Sequence, residues 1–267
     1  MQVDSLFIYP VKSLAGIPVT SLALDARGPE HDRRWMIIDN DGSFVTQRDR
    51  PELARISTTL TDGKVSIGIP GFGDHPLRVS GEQRNARVWQ DWVRAYRAEP
   101  GPAQLLSDFC GQSLDLVYMP DDCRRTADAQ YAGAGRPVGF ADGFPFLIVN
   151  RASLDELNSR LDRPVDIRRF RPNIVVSGAE AWAEDQWPGI IIGLVAFNLV
   201  KPCSRCLITT VDPDSGVRAG DLQPLRTLGS YRRQADGVMF GVNAVHQGTG
   251  PVKAGDPVIV DTRGVFE

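Results

Sequence analysis

Short apolar runs with a two-residue alternation dominate the hydrophobic and polar pattern of the first half of the chain. Residues 5–11 and 64–69 combine β-branched or aromatic residues with turn-forming neighbours, which is typical of strands. Asn40-Asp41-Gly42 separates two further runs, 34–39 and 44–47, and predicts a hairpin turn between them. This spacing favours a β-sandwich or barrel over alternating strands and helices.

The second half repeats the pattern, with strand-like runs at 144–149, 173–177, 190–194, 196–200, 207–211 and 258–260. Helical periodicity is limited to residues 103–110 and 152–161. A glycine-rich stretch at 133–143 predicts a loop. We therefore expect a mainly β (α+β) chain of two packed, barrel-like units with a few short helices. The expected units are residues 1–122 and 123–267, with an approximate boundary.

Composition supports a folded globular chain and excludes a general polyanion-binding role. The 267 residues are 42% hydrophobic and 24% charged, with a net charge of −3. That balance gives no overall attraction to nucleic acid or anionic membranes, although 30 Lys and Arg residues leave room for a local basic pocket. We see no signal peptide, and the longest apolar runs are shorter than the ~20 residues of a membrane span. We expect a cytoplasmic protein.

Four cysteines occur, and Cys203 and Cys206 form a Cys-x-x-Cys pair. A structural zinc site usually needs two further ligands at suitable spacing, and no second such pair is present. A thioredoxin-like redox pair needs a helix after the motif, whereas 207–211 predicts a strand. Two packed, inert cysteines remain an alternative. Arg205, next to Cys206, favours a thiolate that a soft metal would bind.

The stretch CSRCLITTVDPDSG at 203–216 resembles the signature of the MOSC family, in the branch that contains the amidoxime-reducing components and their bacterial relatives. Blocks in the same order resemble the family elsewhere: YPVKS at 9–13, DRRW at 32–35, FPFLI at 144–148, FRPNIV at 170–175 and KAGDPV at 253–258. The resemblance covers nearly the whole chain. It implies an N-terminal MOSC-associated β domain followed by a MOSC β-barrel domain.

The resemblance also implies a molybdenum cofactor with a single pterin (molybdopterin), in which Cys206 is the metal ligand and Cys203 only a neighbour. Bidentate Arg and point-charge Lys suit the phosphate of such a pterin. The residues implied to line the pterin and its phosphate are Lys12, Ser13, Arg33, Arg171, Asn173, Ser204 and Arg205. The chain departs from the family pattern at Asn243, where relatives have an aromatic hydroxyl.

Asp142 matches an acidic residue near the metal in the family, where a carboxylate can relay protons. A turn-forming loop Asp is the alternative for this position. The acidic run at 212–216 is interpreted as a turn. Two aromatic clusters, Trp89 with Trp92 and residues 182–187, are interpreted as core or interface packing. The alternative is that they cover a pocket or grip a flat substrate.

By this resemblance we expect a molybdenum-dependent oxidoreductase that reduces N-hydroxylated compounds (amidoximes, hydroxylamines or hydroxylated base analogues) to amines. The printed sequence has no clustered cysteines for an iron–sulfur centre, so electrons would come from a separate reductase or ferredoxin-type protein. The main alternative is a sulfur-carrier or cofactor-binding protein that uses Cys206 as a persulfide. A third is a scaffold with a structural cysteine pair. The resemblance also allows pyridoxal phosphate binding.

Overall fold

The structure, a computed structural model, describes residues 1–261, and strands form most of its regular elements. The mainly β prediction is confirmed. In the first half the strands are β1 Gln2–Ile8, β2 Ile17–Val19, β3 Ser21–Leu22, β4 Leu24–Asp25, β5 Gly28–Pro29, β6 Trp35–Ile38, β7 Ser57–Thr61, β8 Lys64–Ile69, β9 Gly73–Pro76, β10 Val79–Val88, β11 Asp91–Ala98 and β12 Asp115–Tyr118.

The second half contains the longest strands and most of the helices. Its strands are β13 Phe146–Asn150, β14 Ile174–Ser177, β15 Gly189–Ile192, β16 Val195–Arg205, β17 Arg233–Gln234, β18 Gly237–Gln247, β19 Val252–Lys253 and β20 Val258–Asp261. The α-helices of the described residues are α1 Pro100–Cys110, α2 Ala129–Ala132, α3 Arg151–Ser159 and α4 Leu225–Tyr231. Short 3-10 helices cover Pro51–Arg55, Ile167–Phe170, Ala183–Gln186 and Leu207–Thr210. Among these residues, none of the helices is both long and apolar enough to cross a membrane.

One large mixed sheet organises the second half and also takes in the first strand of the chain. Its order is β2-β1-β14-β13-β18-β16-β15-β20, with β17 paired to β18. The β13–β14 pair is parallel, and the other pairs are antiparallel. Because β1 pairs with β14, the N-terminal strand is part of the C-terminal unit. Residues 9–13 follow this strand and cross to the first unit at the junction between the two.

Strands β6 to β12 form a smaller β unit. Its sheets are β10-β11-β12-β6 and β7-β8-β9, with α1 packed nearby. Ile37, Ile67, Leu106 and Leu116 are all fully buried in one core cluster of this unit. The large sheet has a separate cluster on each side, one around Phe146 and Phe197 and one that includes Phe170 and Phe240. Each unit therefore has its own apolar core.

Most strand predictions lie on observed strands, but the interpretation of 207–211 is wrong. The run 64–69 coincides with β8, and both predicted helices are present as α1 and α3. Leu207–Thr210 is instead a 3-10 helix. The hydroxyls of Thr209 and Thr210 donate to the carbonyls of Cys206 and Leu207 at 2.9 and 2.7 Å, which satisfies the backbone locally. Such local bonds compete with strand pairing despite the β-branched composition.

The glycine-rich loop predicted at 133–143 is irregular and packs its end against the segment that carries Arg33. The backbone N–H of Phe140 donates to the Arg33 carbonyl at 2.7 Å. A Cβ on Gly139 would lie 2.8 Å from that same carbonyl oxygen. Glycine is therefore required at 139 for close approach of two backbones, and this contact sets the position of the loop.

We expect Gly139→Ala to lower the free energy of unfolding by about 1–3 kcal/mol, because the added methyl group collides with the Arg33 carbonyl. Gly143→Ala is the matched control, since a Cβ there meets no atom of residues 1–261 within 4 Å. Urea denaturation followed by circular dichroism measures both variants. Equal stability of the two would show that the loop moves away from Arg33 at no cost.

Candidate functional site

A cavity of about 470 Å³ opens between the two β units, and every residue predicted for the site lines it. The first unit and its connection contribute residues 12, 13, 33, 46, 48 and 89, and the C-terminal unit contributes the rest. The predicted residues found in its wall are Lys12, Ser13, Arg33, Asp142, Arg171, Asn173, Ser204, Arg205 and Cys206. Segments far apart in sequence thus converge on a single pocket.

Positive charge dominates this cavity, although the whole chain has a net charge of −3. Six cationic side chains and two carboxylates lie in its wall. The cations are Lys12, Arg33, Arg48, Arg171, Lys201 and Arg205, and the carboxylates are Asp142 and Asp236. Cations concentrated in a concave, partly desolvated site favour an anionic ligand.

Cys206 lies where the β16 strand ends and the 3-10 helix Leu207–Thr210 begins, half-buried in the cavity wall. The Nε of Arg48 donates to its Sγ at 3.3 Å, and a second guanidinium nitrogen donates to Asp142 at 3.1 Å. Arg48 thus gives the Cys206 sulfur a cationic hydrogen-bond donor. Within residues 1–261, no group of three or more His, Cys, Asp or Glu side chains is arranged to hold a metal ion.

The side chain of Arg205 does not contact Cys206, contrary to the interpretation from their adjacency. Its Nη1 donates to Cys203 Sγ at 2.9 Å, and its Nη2 donates to the Phe170 carbonyl at 2.7 Å. Alternate residues of a strand point to the same side, so residues 203 and 205 share a face, whereas Cys206 lies beyond the end of the strand. The cation beside Cys206 is instead Arg48, from the other unit.

Asp142 is held between two cations and is not an acid at neutral pH. Its carboxylate accepts a short hydrogen bond from Lys12 Nζ and a second bond from Arg48. Burial opposes ionisation, but these two cations hold the pKa of Asp142 well below its usual range. Burial also lowers the pKa of Lys12 to about 8, against the opposing effect of Asp142. Lys12 is therefore the partner that changes charge near neutral pH.

A third arginine, which sequence reasoning missed, fixes the loop that carries Asp142. The Arg125 guanidinium is 4% exposed and donates to the carbonyls of Gly139, Ala141 and Asp142 at 2.6, 2.6 and 3.1 Å. Its Nε bonds Asp91 at 2.9 Å. Three carbonyls on one guanidinium impose the curvature of the loop, so the position of the Asp142 carboxylate depends on Arg125.

Arg33 and Arg171 stack on the same buried tyrosine. Their guanidinium carbons lie 4.5 and 4.2 Å from the ring centroid of Tyr9. Arg33 is neutralised by Asp32 at 2.6 Å, whereas Arg171 Nη1 donates only to the Leu14 carbonyl, at 2.7 Å. Arg171 Nη2 is buried and has no hydrogen-bond partner within residues 1–261. Burial lowers the pKa of Arg171 to about 10, and the charge of Arg33 acts in the same direction.

Asn173 is buried beneath this pair, with both ends of its amide used by the protein. Its Oδ1 accepts from Arg33 and from the Leu147 N–H, each at 3.2 Å. Its Nδ2 donates to the Phe7 carbonyl at 3.3 Å and to Asp32 at 3.1 Å. Through these bonds Asn173 holds Arg33 and Asp32 in place in the cavity wall.

Backbone strain is concentrated around the cavity. Ser13, Arg33, Trp89 and Arg171 have φ values of 69°, 46°, 56° and 57°, in the left-handed region that residues other than glycine rarely adopt. All four line the pocket. Strained backbone persists where the surrounding packing imposes it, and such positions cluster at functional sites.

Among the lining residues that were not predicted for the site, three bear on its chemistry. Arg48 and Lys201 are cations, and Trp89, which we interpreted as core or interface packing, is 44% exposed and stacks on Arg48 at 4.8 Å. Lys201 lies two residues before Cys203, and this closeness to the cysteine motif could have identified it. Arg48 lies in a polar segment with no motif, and no local signal identifies it.

Comparisons with known proteins agree with these features. The family model of the MOSC N-terminal beta barrel domain matches residues 1–113, and that of the MOSC domain matches residues 135–259. Mitochondrial amidoxime-reducing component 1 of Homo sapiens is 37% identical over 96% of this chain and 82% of that protein. Mitochondrial amidoxime reducing component 2 of Bos taurus is 33% identical over the same shares of the two chains.

The chain therefore belongs to the MOSC family and has both of its characteristic domains. The expectation from the motifs at 170–175 and 203–216 is confirmed at this level. Among solved structures, the crystal structure of YiiM from Geobacillus stearothermophilus is 18% identical, covers 46% of this chain and 56% of that chain, and has a TM-score of 0.34.

We expect Asn173→Ala to lower the free energy of unfolding by about 2 kcal/mol or more, because it leaves buried partners of both amide ends unsatisfied. Asn243→Ala, at a half-buried position in the same cavity, should lower it by less than about 1 kcal/mol. Chemical denaturation of the two variants provides the measurement. If both lose the same small amount, Asn173 does not hold the Arg33–Asp32 pair in place.

Proposed function

We propose that this protein is a molybdenum-cofactor oxidoreductase that reduces N-hydroxylated compounds to the corresponding amines or amidines. The observation that carries the proposal is a half-buried cysteine, Cys206, in the wall of a cation-rich cavity between the MOSC domains. Two relatives over 30% identical are named amidoxime-reducing components. We propose amidoximes, hydroxylamines and hydroxylated base analogues as the substrate classes.

The residues present fit a pterin cofactor that ends in a phosphate. Unused buried N–H groups at Arg171 Nη2 and Arg205 Nε, unpaired within residues 1–261, are the donors that a phosphate or pterin oxygen would accept from. Cys206 would be the protein ligand of the metal, since a soft sulfur donor suits such a metal and Cys206 lines the cavity beside Arg48. Lys12, Ser13, Arg33, Ser204 and Arg205 would complete the walls around the pterin, and Cys203 would remain a neighbour.

The net reaction consumes two electrons and two protons, breaks the N–O bond and releases water. When bound, the molybdenum cofactor supplies the two-electron redox chemistry. The role of the chain is to orient the substrate and to hold protons near the N–O bond. Asp142 is ionised and acts as a hydrogen-bond acceptor, so it orients Lys12 and Arg48 and can receive an N–H of the substrate. Within the set formed by Asp142, Lys12 and Arg48, Lys12 would carry the exchangeable proton.

Electrons reach the site from a separate donor protein under this proposal. The printed sequence lacks the clustered cysteines of an iron–sulfur centre. Its G-x-G segments at 71–73 and 248–250 also lack the third glycine and helix of a dinucleotide site. Turnover with a reduced viologen, but not with NADH alone, is the expected behaviour of the isolated chain. NADH-driven turnover without a reductase would contradict this assignment of the donor.

A second candidate function is sulfur transfer through a persulfide on Cys206. The contact between Arg48 and the Cys206 sulfur at 3.3 Å favours this candidate as well, because a persulfide anion would use the same donor. Metal analysis separates the two, since a sulfur carrier needs no molybdenum. Mass spectrometry of the bound organic molecule would distinguish a pterin from pyridoxal phosphate.

We expect Cys206→Ser to abolish molybdenum retention and reductase activity, because a hydroxyl replaces the soft sulfur donor. Cys203→Ser is the matched control and should retain most of both, since Cys203 contacts Arg205 rather than the proposed metal position. Both proteins are made in a host that supplies the cofactor, and their molybdenum is measured by mass spectrometry. Equal loss from both substitutions would instead indicate a redox pair or a shared metal site.

Arg171→Ala should reduce pterin content by about ten-fold or more at limiting cofactor, because a charge-assisted contact to phosphate contributes on the order of 1.5–3 kcal/mol. Arg94→Ala is the control, since Arg94 pairs with Asp122 on the surface, outside the cavity. Pterin is quantified by fluorescence after oxidation and is expressed per folded protein, with circular dichroism as the check of folding. Unchanged pterin in Arg171→Ala would place the phosphate elsewhere.

A further inference from the structure

Trp89 occupies a backbone position that is unfavourable for a large side chain. Strands β10 and β11 form an antiparallel hairpin in which Val88 pairs with Asp91, so Trp89 and Gln90 make the turn. Trp89 has a φ of 56°, a value that hairpin turns normally assign to Gly, Asn or Asp. A bulky residue at such a φ is a genuine outlier. An aromatic side chain is thus kept at the hairpin tip despite a local cost.

Several contacts fix the hairpin and its indole beside the cavity. The hairpin is docked on the turn at 42–44, where Arg87 N donates to the Gly42 carbonyl at 2.7 Å and Phe44 N donates to the Arg87 carbonyl at 3.2 Å. The Phe44 ring packs against the indole with centroids 5.1 Å apart and an interplanar angle of 58°. Arg48 stacks on the indole at 4.8 Å. The side chain is therefore held in a defined place.

The indole is nevertheless open to the cavity. Trp89 lines the pocket and is 44% exposed, whereas Phe146 and Phe170 in the same wall are 1% and 0% exposed. Those two phenylalanines belong to the apolar cores. Trp89 instead presents aromatic surface that belongs to neither core.

One side chain separates this indole from the proposed metal ligand. Arg48 contacts Trp89 with the face of its guanidinium and donates to Cys206 Sγ at 3.3 Å. A molecule that reaches the position next to Cys206 therefore lies within one residue of the indole. The cavity wall is cationic, and Trp89 adds an exposed aromatic face that suits an uncharged, flat group.

We propose that Trp89 is a specificity-determining residue that stacks against the planar, conjugated group adjoining the N–OH of the substrate. Indole faces bind flat π-systems and contribute to affinity without contacting the reacting atoms. The inference rests on the proposed reductase function. In it, Trp89 favours conjugated substrates over aliphatic ones of the same chemistry. It places Trp89 in substrate binding and gives it no part in electron or proton transfer.

Benzamidoxime and acetamidoxime test this inference, because they differ only in a phenyl or a methyl group next to the same amidoxime. The cofactor-loaded enzyme is assayed with reduced methyl viologen as donor. In Trp89→Leu the KM for benzamidoxime should rise about five-fold or more, the size of a lost aromatic contact. The KM for acetamidoxime should stay within about two-fold, and kcat for both should be unchanged. Trp89→Phe should restore most of the benzamidoxime affinity.

Trp92→Leu is the matched control on the same hairpin. Trp92 is 57% exposed, stacks on Arg87 and does not line the cavity, so its loss should leave both KM values unchanged. An equal rise in KM for both substrates in Trp89→Leu would assign Trp89 a purely structural role and overturn the inference. No change with benzamidoxime would overturn it as well.

A binding measurement separates this inference from the function on which it rests. Absence of turnover of either amidoxime by the loaded wild-type enzyme would refute the proposed function. Calorimetric binding of the same two amidoximes to the loaded protein, without an electron donor, still tests Trp89 in that event. Weaker binding of benzamidoxime alone in Trp89→Leu supports the stacking role, and identical binding to wild type and variant contradicts it.

Discussion

The stacking of Arg33 and Arg171 on one buried tyrosine is the interaction on which the rest of the site depends. Two guanidinium groups lie 4.5 and 4.2 Å from the Tyr9 ring centroid, where their charges repel each other in a poorly solvated place. Asp32 neutralises Arg33, and Asn173 holds both of those residues. Arg171 has no carboxylate partner within residues 1–261, and its unused Nη2 is what an anion would satisfy. The fold thus maintains a charge imbalance that a bound phosphate would relieve.

This arrangement requires both β units. β1 pairs with β14 and then delivers residues 9–13 to the junction, while β16 brings the cysteine motif to the same place from the other side. Arg48 closes the connection, because it contacts both Cys206 and Asp142. The proposed metal ligand, the Lys12–Asp142 pair and the proposed phosphate donors are therefore parts of one electrostatic network. A change in the relative position of the units would disrupt all three together.

Much of the fold was predictable because alternation of apolar residues directly reports a half-buried strand, as at 64–69 in β8. The site residues were predictable only through the family motifs, since single Lys and Arg positions give no signal of convergence. The run 207–211 was misread because composition cannot show that Thr209 and Thr210 bond their own backbone. Arg48 and Cys206 are 158 residues apart, and adjacency suggested Arg205 instead. Only the tertiary structure shows which cation meets the thiol.

The central claim is that this network holds a molybdenum-pterin cofactor with Cys206 as the metal ligand. A crystal structure of protein loaded in a cofactor-competent host, with anomalous diffraction collected at the molybdenum absorption edge, tests it most directly. The account predicts one anomalous peak at bonding distance from Cys206 Sγ, together with density for a phosphate next to the Arg171 guanidinium. A peak bonded to Cys203, or a loaded metal outside this cavity, would contradict it.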